Sequence, residues 1–308
     1  MNPKHQAPNT KCRRTYGCLH PDQFENRIAS GHQTTNNKHQ TGILYSTITL
    51  ARKYIHYWLT ASNGKGHGVH SPFVFDFISK LLNDKTDIPS SEAIEAVRRN
   101  LLCNRQRIDV IDFGAGSAVI STNRRKVCDI AASSLKKPRY AKLLHRLAKY
   151  YSCNNIIELG TSFGTTSAYL ATASPEVSLH TFEGAPAIAD IAQTNFNTLR
   201  LSNIQLHLGD FKSTLSAYLS SHPTIDLAYV DGHHQKEPTL QYFHWLLSSI
   251  HEDSILIFDD IHWSKEMEEA WEEIKSNGAI TLSIDLFFIG IVFVKKEFKE
   301  QQHFTIRF

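Results

Sequence analysis

From residue 155 onward, short apolar runs alternate with longer segments whose apolar residues recur at helical spacing. The runs 156–159, 178–182, 204–208, 227–230 and 254–258 are compact and nearly continuous, the pattern of parallel strands covered on both faces. Segments 165–173, 187–199 and 239–250 between them have the 3.6-residue period of helices. This alternation predicts an α/β fold with a doubly wound, mostly parallel sheet. Two further apolar runs, 279–284 and 287–295, are separated only by Asp285-Leu286. So short a connection predicts an antiparallel last strand and a seven-stranded sheet, with 303–308 as an additional edge candidate.

The first half reads differently. Segment 45–58 places Leu50, Tyr54, Tyr57 and Trp58 on one helical face and Arg52 and Lys53 on another, then breaks at Asn63-Gly64-Lys65-Gly66-His67-Gly68. Lys65, His67 and His70 make this loop basic, and Ser71-Pro72 predicts the start of a helix over 73–82. Ser90 or Ser91 caps another helix running toward Leu102, and 142–150 is a further helical stretch. The expected organisation is a mostly helical N-terminal accessory cap over 42–150 and the α/β domain over 151–308. Residues 1–41 are polar and lack either period, so a disordered extension is expected there.

Composition narrows the class. The 308 residues are 41% hydrophobic and 20% charged with a net charge of +3, ordinary for a globular protein and too weakly basic to suggest nucleic acid as a partner. The longest apolar stretch, 286–294, is far shorter than the roughly 20 residues of a membrane-spanning helix. Five cysteines without a CxxC pair argue against a disulfide framework or a structural zinc site, and a reducing cytoplasm is expected.

The segment with most chemistry is Ile156-Ile157-Glu158-Leu159-Gly160-Thr161-Ser162-Phe163-Gly164-Thr165-Thr166. A strand ends in an acidic residue and a glycine, and a second glycine opens a helix whose first amides are free to meet a ligand. The spacing Gly-x-x-x-Gly differs from the dinucleotide fingerprint Gly-x-Gly-x-x-Gly. Here the chain resembles the class I S-adenosylmethionine-dependent methyltransferases, and further matches follow in that family's order. Glu183-Gly184 follows the second strand, Gly209-Asp210-Phe211 the third, and Asp231-Gly232-His233-His234 the fourth. The resemblance implies a Rossmann-like domain over 151–308 in which Glu158, Gly160, Thr161, Ser162, Gly164 and Thr165 cradle the methionine part of S-adenosylmethionine. It implies Glu183 and Gly184 at the ribose, Gly209, Asp210 and Phe211 at the adenine, and Asp231 at the edge of the cofactor site.

Asp231, Asp259 and Asp260 also resemble the residues with which the catechol-type O-methyltransferases hold magnesium, and His234 stands where those enzymes carry a base. The resemblance implies O-methylation of a small-molecule acceptor, with Asp231 and His234 catalytic and a magnesium site at Asp231, Asp259 and Asp260. Many class I methyltransferases use no metal, however, and Asp259 is equally suited to capping a helix near Ser264. A second strand-and-glycine segment, Val110 to Ser117, is followed by Asn123-Arg124-Arg125-Lys126 rather than by an apolar helix. It is expected to be a loop of the accessory layer that covers the active site. Together with His67-Gly68-Val69-His70-Ser71-Pro72-Phe73 and Asp259 to Ser264, it resembles an uncharacterised group of bacterial methyltransferase-like proteins. Trp263 and Trp271 flank Met267 at helical spacing and are expected in the core.

Two other functions stay open at this point: a non-catalytic module that binds S-adenosylmethionine or a partner protein, and an NAD(P)-dependent oxidoreductase. The glycine spacing and the lack of a Tyr-x-x-x-Lys motif disfavour the second. Assembly as a homodimer is left open.

Overall fold

The computed structural model describes residues 44–66, 70–112, 121–221 and 224–308. The expected extension 1–41, His67 to Val69 of the basic loop and residues 113–117 of the second glycine segment lie outside them. Helix α1 (Thr47–Thr60) is followed by α2 (Pro72–Phe77), which continues as a wider turn over Ile78–Leu82, and by α3 (Ser91–Cys103). An antiparallel hairpin of β1 (Arg107–Asp112) and β2 (Ser121–Lys126) then interrupts the helical cap expected there. After it come α4 (Val127–Ser134) and α5 (Pro138–Tyr150). Ser71 caps α2 through the Val74 amide, with Pro72 in the first turn, as its sequence predicts.

The α/β domain alternates β3 (Asn155–Leu159), α6 (Thr165–Ala171), β4 (Ser178–Glu183), α7 (Pro186–Thr198), β5 (Ile204–Leu208), α8 (Phe211–Ser221), β6 (Ile225–Val230), α9 (Lys236–Leu247), β7 (Ile250–Asp259) and α10 (Lys265–Ser276). It closes with β8 (Leu282–Asp285), β9 (Ile289–Phe293) and β10 (Gln302–Thr305). The sheet order is β10-β8-β9-β7-β6-β3-β4-β5. β9 inserts antiparallel between β7 and β8, the reversal predicted by the short 285–286 connection. The sheet has eight strands rather than seven, because β10 pairs in parallel with β8 and covers what would otherwise be an open edge.

Neighbouring residues of the central strands face opposite layers. Ile157, Leu159, Ala228, Val230, Leu256 and Phe258 pack against Leu215, Phe243, Leu246 and Trp271 of α8, α9 and α10. Ile156, Leu227, Tyr229, Ile255 and Ile257 pack on the other face with Val74, Phe77, Leu143, Leu144 and Leu147 of α2 and α5. Helices α2 and α5 therefore form the second layer of the α/β sandwich rather than an outlying cap. Each such buried Val, Leu, Ile or Phe side chain contributes about 1.5–3 kcal/mol relative to exposure. A third cluster joins Val97, Leu101, Ile108, Val127, Ile130 and Phe163, and fixes the hairpin beside the carboxyl ends of the strands.

Candidate active site

The carboxyl ends of β3 to β7 open onto a cleft of about 380 Å³, a size that suits a small-molecule ligand at the favoured edge of an open α/β sheet. Its walls include Gly160, Ser162, Glu183, Gly184, Gly209, Asp210, Phe211, Asp231, His234 and Asp260. Parallel strands separated by helices thus bring five loops, distant in sequence, to one edge.

Gly160 has φ +103, and a Cβ there would meet the Asp231 carbonyl oxygen, so only glycine lets the chain leave β3 in this direction. After it, the Ser162 amide donates to Glu183 Oε2 at 2.9 Å, while the Ala185 amide donates to Oε1 at 2.9 Å. Burial pushes the Glu183 carboxyl above its ordinary range, and the backbone amides pull it part of the way back. Asp210 sits at the start of α8, its Oδ2 accepting from the Ser213 amide at 3.3 Å.

Glu158, Thr161, Gly164 and Thr165 stand beneath the cleft rather than on its walls. Glu158 is fully buried and accepts from the hydroxyls of Ser167 and Thr181, the latter at 2.7 Å. Burial pushes its carboxyl up to about 8 against the pull of those hydroxyls, so it is protonated at neutral pH. It ties β3, β4 and α6 together under the loop instead of facing the cleft, as its place in the motif implies. Thr161 Oγ1 joins the same group, 2.6 Å from Thr181 Oγ1.

On the opposite wall, Tyr229 donates from its hydroxyl to Asp231 Oδ2 at 2.9 Å, and His234 Nε2 lies 3.6 Å from Asp231 Oδ1. His233 approaches the Tyr242 hydroxyl at 2.7 Å and sets its ring edge-on to Phe211, centroids 5.2 Å apart. Ser162, His233, His234 and Asp260 all have positive φ, a concentration of backbone strain of the kind held at working sites.

Asp259 is buried, and its Oδ1 accepts from the ammonium of the equally buried Lys136. It does not cap α10; Ser264 does, through the Met267 amide at 3.1 Å. Magnesium needs about six oxygens in octahedral array. Lysine already occupies one aspartate oxygen, and among the described residues no three His, Cys, Asp or Glu side chains form a group that holds a metal. The expected triad of Asp231, Asp259 and Asp260 therefore does not fit magnesium: Asp231 is engaged by Tyr229 and His234, and Asp259 by Lys136.

A family model described as a methyltransferase domain matches residues 157–261, the stretch from β3 to just past β7 that carries the cleft loops. Residues 157–261 of this chain thus form a methyltransferase domain. This methyltransferase is 27% identical over 156 residues to the catechol O-methyltransferase of Niastella koreensis, covering 50% of this chain and 69% of that protein. Among solved structures, the SAH-bound methyltransferase PaMTH1 of Podospora anserina superposes with a TM-score of 0.51 at 12% identity, covering 73% of this chain and 97% of that one. This is a likeness of fold. An O-methyltransferase from Bacillus cereus in complex with SAH has a TM-score of 0.48 at 19% identity, covering 72% and 97%.

The methyltransferase's cleft has further walls that its motifs do not mark. Val110 and Arg125 come from the β1–β2 hairpin, and Ile130, Ser133 and Ser134 from α4. Ser134 Oγ lies 2.8 Å from Ser162 Oγ, joining α4 to the loop after β3. Of the second glycine segment, Val110 lies on this wall, whereas nothing local in the sequence marks Lys136. Among the described residues of the methyltransferase, no helix is long and apolar enough to cross a membrane.

Proposed function

We propose that this methyltransferase transfers a methyl group from S-adenosylmethionine to a hydroxyl oxygen of a small-molecule acceptor. The observation that carries this reading is the placement of the Asp231–His234 pair on the same cleft as Glu183. The name of the Niastella relative supports oxygen as the acceptor atom. When bound, S-adenosylmethionine supplies an electrophilic methyl group on a sulfonium.

Glu183 receives the ribose hydroxyls, Asp210 and Phe211 with Gly209 flank the adenine, and the loop from Gly160 to Ser162 lies along the methionine part. Glu158, Thr161, Gly164 and Thr165 hold that loop from below. The His234 imidazole accepts the acceptor's proton, and Asp231, whose Oδ1 lies 3.6 Å from Nε2, stabilises the cationic ring that forms. No step runs through magnesium, since the donors present do not fit it.

Calorimetric titration with S-adenosylmethionine and S-adenosylhomocysteine, followed by turnover with a panel of phenols and catechols, tests the reading. Micromolar binding and formation of S-adenosylhomocysteine are expected. His234→Ala should lower kcat about 100-fold or more with unchanged S-adenosylhomocysteine affinity. Binding without turnover of any hydroxylated acceptor makes the protein a cofactor-binding module instead, and absence of binding removes the cofactor assignment.

A further inference from the structure

We propose that Lys136 is a resident internal cation that closes the acidic end of β7 to metal ions and bolts one wall of the cleft in place.

The side chains of Lys136 and Asp259 are each 1% exposed. Burying two charges costs several kcal/mol per ion, and such a pair persists only where each group finds the other. The two residues stand 123 positions apart in the chain, so the contact is made by the fold and not by a local turn. Lys136 sits in the short connection between α4, whose Ile130, Ser133 and Ser134 line the cleft, and α5, whose Leu143, Leu144 and Leu147 lie in the core. Its ammonium also lies 5.7 Å from the centre of the Tyr140 ring, which adds an attractive face.

At the other end, Asp259 closes β7, and the next residue, Asp260, forms part of the cleft wall with Asp231. Asp259 Oδ2 is buried with no hydrogen-bond partner, so the lysine is the charge that compensates this carboxylate. A divalent ion seeking Asp259 has to displace an ammonium that cannot reach water without moving the α4–α5 connection. The site therefore has its positive charge built in. An acceptor needs no second oxygen to chelate a metal, and one hydroxyl directed at His234 suffices. Lys136 is a positioning residue here: it acts through Asp259 and the α4 wall.

Manganese(II), followed by the loss of its free-ion electron paramagnetic resonance signal, is the probe, and no methyl transfer is needed to read it. Wild-type full-length protein should show no site of one ion per chain at micromolar concentrations. Lys136→Met should bind one manganese per chain at least about ten-fold more tightly than wild type, and Lys136→Met/Asp259→Asn should lose that gain. A micromolar site in wild type that Asp259→Asn abolishes overturns the proposal. A folded Lys136→Met with no gain overturns it too. Thermal melting covers the case in which Lys136→Met is too unstable to titrate. The double variant, which removes both charges, should then melt above Lys136→Met, whereas equal losses in the two overturn the pairing.

Discussion

The carbonyl oxygen of Asp231 lies 2.1 Å from where a Cβ on residue 160 would stand. In return, the Asp231 amide donates to the Leu159 carbonyl at 2.8 Å. The loops after β3 and β6, adjacent in the centre of the sheet, are thus locked together at the cleft. Gly160→Ala adds a clash with backbone and an unfavourable positive φ, at a cost of about 1–3 kcal/mol for the φ alone. Its melting temperature should fall, and S-adenosylhomocysteine affinity should drop about ten-fold or more in calorimetry. Wild-type affinity in this variant would mean that the loop after β3 does not meet the cofactor.

Glu183 accepts two backbone amides at the cleft wall. Glu183→Ala leaves both amides without their carboxylate and removes the group proposed to receive the ribose hydroxyls. A charged hydrogen bond contributes about 1.5–3 kcal/mol, which corresponds to about 10- to 100-fold in the dissociation constant for S-adenosylhomocysteine. Unchanged affinity on titration would take Glu183 out of the cofactor site.

Glu158 gives stability a pH dependence. Its carboxyl is pushed by burial from an ordinary 4.5 to about 8. Between these values the folded chain keeps the proton and the unfolded chain releases it. Its contribution is therefore full below 4.5 and is lost as pH rises through about 8. Glu158→Gln, which mimics the protonated acid, should remove this part of the slope, so the wild-type urea midpoint should fall more between pH 5 and 8.5 than the variant's. Parallel profiles would show that Glu158 is ionised in the native protein.

His262 links α1 to the α/β domain. Its Nε2 lies 2.8 Å from Asp285 Oδ2 and its Nδ1 3.0 Å from Glu268 Oε1, and Glu268 also receives Lys53 and the Tyr45 hydroxyl. Burial alone lowers the imidazole's proton affinity, but the two carboxylates outweigh it and raise it to about 9. A raised folded value means that this stabilisation is complete below 6.5 and is lost as pH rises through about 9. The denaturant midpoint of wild type should therefore fall further between pH 7 and 10 than that of His262→Gln. Equal falls in the two proteins would show that His262 is not the group responsible.

The strand order and the site illustrate different limits of sequence. The runs at 156–159, 178–182 and 227–230 announce buried strands because each pattern is carried by consecutive residues, whereas 204–208 forms a strand at the sheet edge with no fully buried residue. The last antiparallel strand is legible for the same reason, since two residues between apolar runs leave no room for a crossover helix. Gly160, Ser162, Glu183, Asp210 and Asp231 are legible because a parallel sheet sends the residues that end its strands to one edge. The hairpin escapes this logic: Arg107–Asp112 and Ser121–Lys126 alternate weakly, and Ile108 of β1, with Val127 of the adjoining α4, packs against distant Val97, Leu101 and Phe163.

Sequence by itself determines the alternation of strands and helices and the acidic and glycine residues that end the strands, because these depend on near neighbours along the chain. Only tertiary structure decides that Glu158 turns inward to Ser167 and Thr181, that α4 and the hairpin complete the cleft, and that Asp259 pairs with Lys136. A carboxylate carries the same formula at the end of any strand. Its role as acid, ligand or half of an ion pair is set by which distant side chain the fold delivers to it and by how much water remains between them.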